Sequence, residues 1–84
     1  MLFLIEQAHT PEHCPIDTGG RETLHADPKK VAGLKVITAF AAYTDHVLYY
    51  LVEASDYDAI EKFLLPGFKQ CTATITPVSK FMGT

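Results

Sequence analysis

Two histidines and a cysteine lie close together in His9-Thr-Pro-Glu-His13-Cys14, the densest group of chemically active side chains in this 84-residue sequence. Imidazole and thiolate are preferred ligands of borderline and soft transition metals, so these types suit nickel, copper, zinc or iron better than calcium or magnesium. The i, i+4 spacing of His9 and His13 would put both on one face of a helix, but Pro11 and Pro15 make the stretch a loop. A metal held here needs further ligands, and His25 is expected as one if its segment folds back over the same end of the molecule. The competing reading is of two ordinary loop histidines, with Cys14 as a small buried hydrophobe.

The elements that must position these groups follow from hydrophobic spacing. Leu2 to Ala8 is a short apolar run that reads as a buried strand. From His9 to Asp27 the chain is polar and broken by Pro11, Pro15, Gly19 and Gly20, so regular structure is expected only from about Arg21. Asp27-Pro28 has the form of a helix cap and first position, and Gly33 of a stop, predicting a short, broken helix over Arg21 to Ala32. Leu34 to Tyr43 and His46 to Ala54 read as a hairpin about Thr44-Asp45. Ser55-Asp56-Tyr57-Asp58 opens a second helix that carries Ile60, Phe63 and Leu64 and stops at Pro66-Gly67. Cys71 to Val78 is a closing strand, with Pro77 where a strand end or edge tolerates it. Phe40 and Phe63 are expected in the core.

Strand, helix, strand, strand, helix, strand is the ferredoxin-like βαββαβ order, an α+β fold in which a four-stranded antiparallel sheet carries both helices on one face. One domain, 1–84, is expected. The first and third strands are expected adjacent and parallel, which would bring Glu6 and Glu53 to the rim occupied by His9, His13 and Cys14. A carboxylate pair there would raise one pKa and supply a general acid or base, or would complete a metal site. Against this, Lys35 lies across the hairpin from about Glu53 and would explain it as a cross-strand ion pair. Tyr49 and Tyr50 must point to opposite faces, and only one, assigned as Tyr49, would line a pocket beside Glu6 and Glu53. His46 is expected at the far end of the sheet as a turn histidine. Cys71 is expected near the end of the first strand, within possible reach of Cys14.

The opening Leu2-Phe-Leu-Ile-Glu6, the His9-to-Pro15 segment, the run His46-Val-Leu-Tyr-Tyr-Leu-Val-Glu53-Ala and the closing Ala73-Thr-Ile-Thr-Pro77-Val together resemble a small member of the dimeric α/β-barrel superfamily. The resemblance implies two ferredoxin-like sheets packed face to face. It leaves nickel-binding, monooxygenase-like, isomerase-like and haem-degrading groups open, because fold does not choose among them. Packing independently suggests the same pairing: two helices cover one face of the sheet, and the third strand is apolar on both.

Composition narrows the choices. A chain of 9.3 kDa is one domain's worth, and a core this small is often completed by self-association, so a homodimer or higher homo-oligomer is expected. Seven Lys and Arg are scattered among ten Asp and Glu, for a net charge of −3, which is no footprint for nucleic acid. No apolar run is long enough for a membrane span, and the five apolar residues at the start lack a basic flank and cleavage site, so a cytoplasmic protein is expected. No phosphate-binding glycine loop, catalytic Ser-His-Asp context or CxxC motif is present. Three functions follow as expectations: a homodimeric protein binding a transition metal or small ligand at the rim, a small cofactor-independent oxygenase or isomerase with an enclosed pocket, and an assembly protein without chemistry.

Overall fold

Alternation sets the first strand. Phe3, Ile5 and Gln7 are buried while Leu4, Glu6 and Ala8 face outward, the period of two that a strand imposes, and β1 runs Leu2–His9. In this computed structural model residues 1–10 and 24–83 are described. Strands β2, Leu34–Ala42, and β3, Val47–Ala54, form the hairpin, and β4, Cys71–Val78, closes the sheet. The order is β2-β3-β1-β4. The result is an open four-stranded antiparallel sheet of the α+β class, compatible with a ferredoxin-like fold.

The expected parallel pairing of β1 and β3 is corrected. They run antiparallel, with Leu2 opposite Glu53 and Glu6 opposite Tyr49. The tight hairpin sends β3 back against β2, and it inserts between β2 and β1, so it opposes both neighbours. The hairpin loop is Tyr43 to His46, closed by the Asp45 N–H donating to the Ala42 carbonyl at 3.1 Å, with His46 in the left-handed region at φ 55°. A bulge between Val36 and Thr38 shifts the register of β2. That shift corrects a second expectation: Phe40 lies opposite Tyr49 on the uncovered face and is 67% exposed, rather than in the core.

One α-helix, α1, spans Tyr57–Leu64 among the described residues. Asp56 caps it by accepting from the Ala59 N–H at 3.0 Å, and Ala59, Ile60, Phe63 and Leu64 form its buried stripe. Pro66 and Gly67 fall in a single 3-10 turn, Leu65–Gly67, that ends the element. The first helix expected over Arg21 to Ala32 is not present in the described part of that stretch, residues 24 to 32. Only a 3-10 turn, Pro28–Lys30, forms there, with Asp27 accepting from the Lys29 N–H at 3.0 Å. Asp27 does cap the turn, but Val31 is already extended and Gly33, at φ 78°, turns the chain into β2.

Ile5, Leu24, Val52, Ile60, Phe63 and Leu64 lie between the sheet and α1 and are almost wholly buried. The opposite face presents Leu4, Tyr49, Leu51 and Phe40 in neighbouring positions, with Leu4 36% exposed. No described helix is long and apolar enough to cross a membrane. Asp56→Ala removes the cap of α1 and should lower stability by about 1 kcal/mol, read as a lower urea midpoint with an unchanged transition slope.

Candidate functional site

At the end of the sheet where β1 leaves it, two histidines and a cysteine come from β1, β4 and the turn before β3. His9 pairs with Cys71 of β4, and its N–H donates to the carbonyl of His46 at 3.0 Å, just before β3. The imidazoles of His9 and His46 meet edge to face, with centroids 5.5 Å apart and planes at 82°. His46 Nδ1 is buried without a hydrogen-bond partner among the described residues. The reversal of β3 therefore brings His46 to the rim from which it was expected to be remote, and it joins His9 there. His13 and Cys14, the other members of the expected cluster, lie outside the described residues. Among the described residues, no group of three or more His, Cys, Asp or Glu is arranged to hold a metal ion.

The other expected site residues separate. Glu6 is opposite Tyr49, whereas Glu53 is opposite Leu2 at the far end and faces Lys35 across the hairpin. Four strand residues, roughly 13 Å, divide the two carboxylates, so they form no pair. Tyr49 and Tyr50 do point to opposite faces, with Tyr49 on the uncovered side. His25 sits beneath the helix instead of over the rim. Its ring packs on Phe63 at 4.9 Å and on Tyr50 at 5.5 Å, and Nδ1 donates to the Ala26 carbonyl at 2.8 Å. That nitrogen is engaged, and the ring is set against the core aromatics Tyr50 and Phe63.

Beside the rim lies a polar network that the sequence reading did not single out. Gln7 is 1% exposed, its Oε1 accepts from the Tyr50 hydroxyl at 2.6 Å, and its Nε2 donates to the Leu24 carbonyl at 2.8 Å. The signal was available: counting by two from Phe3 and Ile5 puts Gln7 on the buried face, where a primary amide must find partners. Gly67 closes over this network, since a Cβ there would come within 2.8 Å of Gln7 Nε2 and 2.5 Å of the Leu24 carbonyl. Burial pushes the Tyr50 phenol far above its ordinary range, and neighbouring Cys71 adds to the shift. Cys71 is a free thiol, also pushed up by burial, so it is protonated and weakly nucleophilic at neutral pH.

A groove of about 230 Å³ opens on the helix side, between α1 with its 3-10 turn and β4, with Gln7, Leu64, Gly67, Cys71 and Ile75 among its lining. It is not the barrel pocket of Glu6, Glu53 and Tyr49 that an oxygenase or isomerase would require, and those side chains lie on the opposite face.

The Tyr50 network carries a prediction with a definite sign. An unfolded tyrosine loses its proton near pH 10, while the native phenol holds it to higher pH, so the native state binds more protons and stability falls as pH rises above about 10. Tyr50→Phe strands Gln7 Oε1 and should cost about 1–3 kcal/mol at pH 7, with a shallower alkaline decline. Urea midpoints of both proteins at neutral and alkaline pH read both effects; equal midpoints at pH 7 would mean that the bond contributes no net stability. In comparison with known proteins, no family model, curated protein or solved structure matches this chain.

Proposed function

We propose that this chain is a homodimeric transition-metal-binding protein whose ion sits at the rim, held by His9 and His46 and completed by His13 and Cys14 of the segment that follows β1. The carrying observation is the imidazole pair. An ion about 2.0–2.1 Å from one nitrogen of each of two rings, at a tetrahedral angle, separates the ring centroids by roughly 5 Å. The His9 and His46 centroids are 5.5 Å apart, and the buried His46 Nδ1 has no described partner. His13 and Cys14 follow His9 by four and five residues in the sequence. Imidazole with thiolate favours nickel, copper, zinc or iron, and the role is binding or sensing rather than turnover. His46 replaces His25 in the ligand set. A cytoplasmic setting belongs to this reading, because a reducing compartment keeps thiols such as Cys71 free.

Metal analysis by inductively coupled plasma mass spectrometry, on untagged protein loaded with each ion and desalted, tests the site. The expectation is about one ion per chain, lost in His9→Ala/His46→Ala and kept in His25→Ala. No bound ion, or full retention in the double variant, would sink the proposal.

The dimer rests on the uncovered face. Exposed Leu4 and Phe40 with half-buried Tyr49 and Leu51 make an apolar patch, and packing two such sheets face to face gives the dimeric α/β barrel that the sequence resembles. Phe40→Lys/Leu4→Lys puts charges at the centre of that contact and should halve the mass found by light scattering while leaving circular dichroism unchanged. A monomeric wild type would remove the dimer from the reading.

A further inference from the structure

We propose that the groove between α1 and β4 is a binding site for a small organic ammonium ion, separate from the metal site proposed above. Its floor is apolar, formed in part by buried Leu64 and half-buried Ile75. Gln7 also reaches the groove, but both of its polar atoms are engaged, by Tyr50 and by Leu24, so ligand recognition falls to the lip. There stand two aromatic rings that contribute little to the core, Tyr57 at 54% and Phe68 at 49% exposure. With them is the carboxylate of Glu61, which makes no ion pair among the described residues.

Among the described residues no Lys, Arg or His lines the groove, so they supply no positive charge there for a carboxylate or phosphate. Aromatic faces and a carboxylate attract a cation by complementary means, the ring quadrupole and direct charge pairing. The protein's net charge of −3 favours the same sign of ligand. A volume of about 230 Å³ is below the range for drug-sized molecules, which fits a few-carbon amine with its chain over Leu64 and its head between the rings and Glu61.

Titration of 15N-labelled protein with n-butylammonium chloride, followed by heteronuclear single-quantum spectra, tests the assignment. 1-Butanol at the same ionic strength is the neutral control, and Glu61→Gln, an exposed helix position that leaves the fold intact, is the variant. Saturable shifts confined to amides around Glu61, Phe68 and Ala73 are expected, with binding about fivefold weaker in Glu61→Gln and weaker still for butanol. Absence of saturable shifts there would overturn the proposal. So would equal binding of butanol, or undiminished binding by the Gln variant, since either would show a groove that reads apolar shape alone.

Discussion

A buried amide ties the layers of this small fold together. Gln7 sits among hydrophobic neighbours on the central strand and must be paired, because an unpaired amide would cost more than most single contacts here contribute. Its two partners come from different parts of the chain: Tyr50 on the neighbouring strand and the Leu24 carbonyl on the segment that returns over the sheet. Satisfying one side chain therefore fixes both the face of β3 and the return point of the chain. His25 follows next, its ring set on Tyr50 and Phe63, and the Ala26 N–H donates to the Phe63 carbonyl at 2.7 Å, which joins the same segment to α1. Gly67 belongs to this arrangement because only a residue without a Cβ fits against both Gln7 and Leu24.

Strand direction is the second determinant. Insertion of β3 between β1 and β2 puts the hairpin loop at the end where β1 leaves the sheet, and so sets two distant histidines side by side. The same reversal sends Glu53 to the other end, opposite Leu2 and Lys35. Which residues share a rim is a consequence of antiparallel pairing more than of their spacing along the chain.

Much of the fold was legible in the sequence. The four strands, the turn about Thr44-Asp45, the helix opened near Asp56 and the capping role of Asp27 were readable, because alternation, β-branching and capping chemistry are local. What escaped were the non-local terms. The bulge near Ile37 changes which face Phe40 occupies, and no residue type announces it. Strand direction decided His46 and Glu53 together, so one inverted pairing exchanged their ends and left Glu6 without the expected carboxylate partner. The helix expected before Gly33 gave way to a single turn among the described residues, since the capping motif at Asp27-Pro28 was followed by Val31 in extended conformation. His13 and Cys14 were singled out by type and lie outside the described residues.

The outer strands limit what the edges of the sheet can pair with. On β2 the ladder is interrupted by the bulge between Val36 and Thr38, and Lys35 stands near its start. On β4 Pro77 removes one N–H from the strand. An edge so interrupted is a poor template for a fifth strand, and continuous growth by edge pairing is the route to fibrils. Concentrated solutions of this protein are thereby held back from open-ended polymerisation through the sheet edges.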